Sequence, residues 1–143
     1  MKRLLLLVLA SAVSACAAPP PAPLDASLAR VSLETEAGNR LHAERLDGEP
    51  VRSLQFPDLP AGAHRLEVRF MFEVAGGGGE ANGGFNSGER RCILAIDYPD
   101  FQAGKRYRIH ASRRGWRPAG WLLDADTASK LASAEEVRCG PGV

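Results

Sequence analysis

Net charge is nearly absent from this chain: its 143 residues carry 18 lysines and arginines against 17 acids. A polyanion binder needs a basic excess to neutralise phosphates, so the balance argues against nucleic acid as a partner. Histidine is scarce. His42, His64 and His110 stand far apart, without His-x-x-x-His or His-x-His spacing, so no metal site is expected from them. No serine sits in a Gly-x-Ser-x-Gly elbow, and no other catalytic nucleophile or cofactor motif stands out. Internal repeats and a second domain boundary are missing too. A membrane-spanning helix needs about 20 apolar residues, and Pro19, Pro20, Pro21 and Pro23 end the one candidate run too early.

What is present begins at the N-terminus. Lys2 and Arg3, a short and mostly apolar stretch over residues 4–13, and the small residues Ser14 and Ala15 have the layout of a secretory signal. Val13-Ser14-Ala15-Cys16 resembles the lipobox of bacterial lipoproteins, whose cysteine receives a diacylglycerol and becomes the new N-terminus. The resemblance implies a lipidated Cys16, removal of residues 1–15 and, in diderm bacteria, three acyl chains. At about 0.8 kcal/mol per buried methylene these hold a protein on a membrane without a spanning helix. An ordinary signal peptide cut near Ala15 is the alternative. Ala17 stands where an aspartate would favour inner-membrane retention, which points to the periplasmic face of the outer membrane. Residues 17–24 are nearly all alanine and proline, a composition for a semi-rigid spacer. The expected organisation is therefore a leader over 1–15, an anchored linker over 16–26 and a single domain over 27–143. Removing the leader leaves 16 basic residues against 17 acids, so the near-balance persists.

With Cys16 acylated, Cys92 and Cys139 remain, and an exported chain meets an oxidising compartment. A bridge between them closes a loop of about 47 residues, worth roughly 4 kcal/mol in the chain-entropy model. Two buried free thiols are the alternative; zinc lacks a second pair of soft ligands.

The rest of the chain alternates polar and apolar residues over short stretches, the period of half-buried strands. Residues 30–35 form one such stretch, and residues 39–46 another, ending at the turn dipeptide Asp47-Gly48. After the turn chemistry of residues 57–62 comes the strongest strand, with Leu66, Val68, Phe70, Phe72 and Val74 on one side and Arg65, Glu67, Arg69 and Glu73 on the other. Cys92, Leu94, Ile96 and Tyr98 repeat the pattern, as do Tyr107, Ile109 and Ala111. Residues 127–137 suit either a strand or a short helix, with propensity leaning slightly helical. Seven or so short strands with frequent turns predict an all-β fold, a single antiparallel sandwich.

Leu46-Asp47-Gly48-Glu49, the turn over residues 56–63 and the strand after it resemble a PEGA-type sandwich. Ala103-Gly104-Lys105-Arg106-Tyr107 is similar to a strand start found in small lipoproteins of like layout. The resemblance covers about residues 29–125 and implies an Ig-like or PEGA-like sandwich in an envelope setting. It brings no catalytic residue.

Three motifs remain. Residues 75–88 are glycine-rich but lack the Gly-Lys-Ser/Thr of a phosphate cradle, and they join two strand patterns, so a plain connection is expected. Leu122-Leu123-Asp124-Ala125-Asp126-Thr127 resembles the first motif of haloacid-dehalogenase phosphatases, but too little chain follows to supply that fold's later strands. Arg113, Arg114, Trp116 and Arg117, with Trp121 nearby, form the one cluster with binding character, suited to carboxylates, phosphates or partner surfaces. The plainer alternative places Trp121 in the core, Trp116 over its end and the arginines in solvent. The function expected from all this is a membrane-anchored, non-enzymatic module that binds an envelope protein or a cell-wall component; a small periplasmic hydrolase is the alternative.

Overall fold

The computed structural model describes residues 22–74, 88–140 and 143. The expectations for Cys16, for the leader and for glycine-rich residues 75–87 fall outside that range. Ten strands form: β1 (Leu28–Thr35), β2 (Arg40–Leu46), β3 (Glu49–Pro50), β4 (Leu59–Pro60), β5 (Gly62–Glu73), β6 (Glu89–Phe101), β7 (Arg106–Arg114), β8 (Arg117–Asp124), β9 (Lys130–Ser133) and β10 (Glu135–Cys139). They make two five-stranded sheets packed face to face. The first sheet runs β4-β1-β7-β8-β9 and the second β10-β6-β5-β2-β3. The all-β sandwich expected from the alternating pattern is the fold.

Alternation decides which side of each strand is dry. Leu66, Val68, Phe70 and Phe72 of β5 and Cys92, Leu94 and Ile96 of β6 are fully or almost fully buried, facing Val31, Ile109, Ala111 and Leu122 of the first sheet. At one end an aromatic knot closes the core. Phe101 and Tyr107 rings meet edge-on at 4.8 Å, and Tyr98 meets Phe101 at 5.0 Å. The Tyr107 hydroxyl accepts the Gln102 N–H at 2.8 Å, tying the crossover between the sheets to the strand that follows it, as the tyrosine corner does in other sandwiches.

The local turns follow their chemistry. Asp47 and Gly48 both adopt positive φ, 50° and 86°, as the two-residue I′ turn between β2 and β3 demands. Gly115, at φ 62°, opens the two-residue turn between Arg114 and Arg117, where glycine in first place favours the II′ type. Gly120 is needed for a different reason: a Cβ there would sit 3.2 Å from both Ala134 Cβ and Leu94 Cδ1, where β8 crosses closest to the second sheet.

Three features depart from the sequence reading. First, the sandwich is not wholly antiparallel, because β1 lies parallel to β7, from Arg30 opposite Arg106 to Thr35 opposite Ala111. Parallel neighbours need a long crossover, and here β2, β3, β5 and β6 of the second sheet provide it. Second, the helical lean of residues 127–137 gives way to β9 and β10. Pairing with the exposed edge of β8 and then of β6 outweighs a small propensity difference, and Ala134 N–H bonds the Gly120 carbonyl at 2.8 Å where the chain changes sheet. Third, Trp121 is not in the core. Gly120 and Leu122 face inward, so period two sends Trp121 outward, where its ring stacks on His110 at 5.2 Å.

Cys92 and Cys139 sit opposite each other on β6 and β10, Cα atoms 4.0 Å apart, joined by the disulfide that cysteine counting predicts. It pins the last strand to the second sheet. Replacing both cysteines by alanine is expected to lower stability by roughly 4 kcal/mol in urea titrations under oxidising conditions, with little change for the parent when the midpoint is measured without reductant. Leu122→Ala is expected to cost about 2–5 kcal/mol in the same assay, and Trp121→Ala distinctly less, because only Leu122 fills the core.

Candidate functional site

The hairpin of β7 and β8 brings four sequence-predicted residues to one tip. Arg113, Arg114, Trp116 and Arg117 are all exposed, Trp116 at 56%. Among the described residues none of the three arginines is ion-paired. Trp116 does not cover the core end, so the tip projects a free indole between guanidinium groups.

Strand direction places this tip relative to the point where the described chain enters the domain. β1 begins beside Arg106, at the start of β7, and β7 runs nine residues to Arg114. At about 3.3 Å per residue the tip lies roughly 27 Å from where the described chain enters the domain. The entry is clasped: Arg30 Nε and Nη2 donate to both Asp58 carboxylate oxygens at 2.8 and 2.6 Å, while Nη1 donates to the Ala22 carbonyl at 2.5 Å. The bond from Arg30 is the main reason the Asp58 carboxyl is held below its ordinary value of 3.8.

Register also sorts the charges. On the outer face of the second sheet, every arginine of the β2, β5 and β6 rows meets a carboxylate: Arg40 and Arg91 meet Glu89, Arg45 meets Glu67, Arg65 meets Glu67 and Asp97, and Arg69 meets Glu44. The first sheet is different. Arg106, Arg108, His110 and Arg114 of β7 point outward, out of phase with buried Tyr107, Ile109 and Ala111, and Trp121 and Arg117 stand beside them on β8. Two acids answer them among the described residues: Asp58, taken up by Arg30 of β1 at 2.6 Å, and Glu34, shared by Arg108 at 2.9 Å and His110 at 3.9 Å. Arg106, Arg114, Arg117 and Lys130 have no ion pair among the described residues. The turns at the end where the described chain enters are acidic instead, carrying Asp25, Asp47, Glu49, Asp58, Asp100 and Asp126. Near-neutral composition therefore hides a polarised surface. Arg106, Arg108 and His110 were not joined to the cluster from sequence, although the β7 alternation contained the signal.

The histidines do not meet. His64 is the most constrained, its Nδ1 2.6 Å from Asp47 Oδ2 and its Nε2 2.9 Å from the Pro60 carbonyl. Asp47 Oδ1 accepts the Arg65 N–H at 2.8 Å. Burial works against the Asp47 carboxylate, but the Arg65 bond and His64 outweigh it and hold the carboxyl below 3.8. The pair staples the Asp47-Gly48 turn to the start of β5. A groove of about 340 Å³ adjoins it, lined by Asp47, Ala63, His64, Arg65, Asp97, Tyr98 and Pro99. No serine, threonine or cysteine lines that groove, and both His64 nitrogens are already engaged.

Asp124 serves a turn. Its carboxylate accepts the N–H groups of Asp126 and Thr127 at 2.9 and 3.0 Å, and these bonds, from Thr127 first, hold it below its ordinary value. Among the described residues no three His, Cys, Asp or Glu side chains gather as metal ligands, and no helix is long and apolar enough to cross a membrane. Comparison with protein-family profiles, curated proteins and solved structures finds no match to this chain.

Two outcomes follow. Changing Arg113, Arg114 and Arg117 together to serine is expected to leave stability within about 0.5 kcal/mol of the parent, as measured by thermal melting. Asp47, Asp58 and Asp124 all titrate below 3.8 when folded, so the unfolded chain binds more protons around pH 3–4. Their contribution should be complete above that range and lost as pH falls through and below it. Urea midpoints at stepped pH check this, and Asp58→Asn should flatten the acid limb.

Proposed function

We propose that this chain is a lipid-anchored, non-enzymatic binding module of the bacterial envelope, held at the periplasmic face of the outer membrane through Cys16. Its partner would be an envelope protein, a cell-wall component or the envelope surface itself. The lipobox and the Ala/Pro spacer support the anchor. The disulfide between Cys92 and Cys139 supports an oxidising compartment. The observation that carries the binding role is the hairpin tip: Arg113, Arg114, Trp116 and Arg117 are exposed and unpaired among the described residues, at the end of the domain away from the tether. Arginine and tryptophan are the residues that most often anchor interfaces.

The hydrolase alternative draws on the Asp47–His64 pair beside its groove. A general base needs a free nitrogen aimed at a nucleophile or water, and His64 spends its second nitrogen on the Pro60 carbonyl. The binding reading is therefore preferred.

The anchor is tested by labelling. Cells expressing the parent should incorporate palmitate into the protein, and Cys16→Ala should abolish both incorporation and lipoprotein processing. Incorporation at the parental level in the variant would refute the anchor.

A further inference from the structure

We propose that the outer face of the first sheet, together with the β7–β8 hairpin tip, docks on an anionic phospholipid bilayer, so that the anchored domain lies on this face and does not stand on its tether. The proposal rests on the anchored-module reading for the presence of a bilayer beside the domain, and names that surface as the partner of the hairpin.

Charge complementarity is the first argument. Arg106, Arg114, Arg117 and Lys130 are unpaired among the described residues and share one face with two acids, Glu34 and Asp58, each already held by Arg108 or Arg30. The second sheet offers no such excess: on its outer face the arginines of β2, β5 and β6 are spent on carboxylates, and unpaired Arg138 of β10 stands beside Glu135 and Glu136 of the same strand. A bilayer of anionic lipid attracts each nearby arginine or lysine, and the attraction fades within a Debye length, so a sheet that gathers its cations on one side is attracted by that side.

Shape is the second. A pleated sheet face is broad and shallow; grooves beside His64, Glu44 and Val51 lie elsewhere, and the one beside Leu24 touches this face only at Arg106, at its edge. A broad face whose one groove lies at its edge suits a planar array of headgroups better than a compact ligand. The exposed Trp116 indole at the tip has the amphipathic character of side chains that settle at a membrane–water boundary, and the flanking arginines can extend their charges to phosphates.

The tether supplies the third. The chain from Cys16 to Ala22 spans at most about 20 Å, which keeps the start of β1 near the lipid. Standing upright would press the acidic turns of that end, with Asp25, Asp100 and Asp126, onto an anionic surface. Lying on the first sheet moves the cations in and brings the tip, roughly 27 Å farther along β7, to the same plane. Attraction at one face and repulsion at one end thus select the same orientation.

The test uses the unacylated chain from Ala17 onward, which contains every strand and the whole core, with vesicles of phosphatidylglycerol and phosphatidylcholine mixed or of phosphatidylcholine alone. The parent should co-sediment with the mixed vesicles, weakly with the neutral ones, and less as salt rises. Replacing Arg113, Arg114 and Arg117 by serine should weaken binding on the order of a hundredfold, and Trp116→Ala several-fold, with melting unchanged. Arg52→Ser combined with Arg138→Ser, away from this face, should change binding less than about twofold. Equal affinity for neutral vesicles, retention of binding by the triple variant, or binding to a soluble carboxylate polymer or to cell-wall sacculi in place of vesicles would overturn the proposal. Loss of palmitate labelling strikes the anchor, whereas labelled protein whose unacylated domain ignores anionic vesicles strikes the docking face alone.

Discussion

Burying Leu66, Val68, Phe70 and Phe72 against Cys92, Leu94 and Ile96 requires β5 and β6 to pair in one fixed register, from Gly62 opposite Phe101 to Glu73 opposite Glu89. A slip of one residue would turn the whole apolar set into solvent. The other elements take their positions from this pair. β2 and β10 add to its two edges, and Cys92 is brought opposite Cys139. Phe101 ends β6 against Tyr107, so the chain turns into the first sheet with its aromatic knot already formed. The stacked rings of Phe70 and Phe72, 4.8 Å apart, then present one apolar floor to Ile109, Ala111 and Leu122 of the opposing layer.

The same alternation that builds the core governs the outside. Residues between buried ones must point to water, so each sheet exports the polar half of its strands. In the second sheet that half contains arginine and glutamate in matched rows. Each exposed pair contributes little to stability, about 0–1 kcal/mol, but together they leave the β2, β5 and β6 rows of that face electrostatically closed. In the first sheet the exported half is mainly arginine, with His110 and Trp121, and only Glu34 and Asp58 answer it among the described residues. Function is sought where charge is left over, and here it is left over on one face and one hairpin tip.

Much of this was legible from sequence where the information is local. The alternation in β5 and β7, the Asp47-Gly48 and Gly115 turns and the pairing of the last two cysteines all depend on neighbouring residues or on counting. The parallel placement of β1 beside β7 was not legible, because it is set by which strands remain unpaired once the second sheet is complete. Trp121 was misread for a related reason. Leu122 and Leu123 follow it, and a run of three apolar residues does not reveal its own phase; the inward Gly120 and the register with β7 do. Residues 130–139 carry so little intrinsic preference that two open strand edges decide their conformation. The four tip residues were visible as a cluster, but the cationic face behind them needed cross-strand register to assemble it.

The proposed orientation at a membrane is the consequence on which charge, anchor and hairpin would converge. Nitroxide labels at Ser133, on the outer face of the first sheet opposite Trp121, and at Ser53, beyond β3 on the side of the second sheet, report it on the acylated protein in anionic bilayers. A water-soluble relaxing agent should reach Ser53 freely and Ser133 poorly, and the difference should vanish on neutral bilayers. Equal access at both labels on anionic lipid, or shielding at Ser53 instead, would contradict a domain oriented by its unpaired cations.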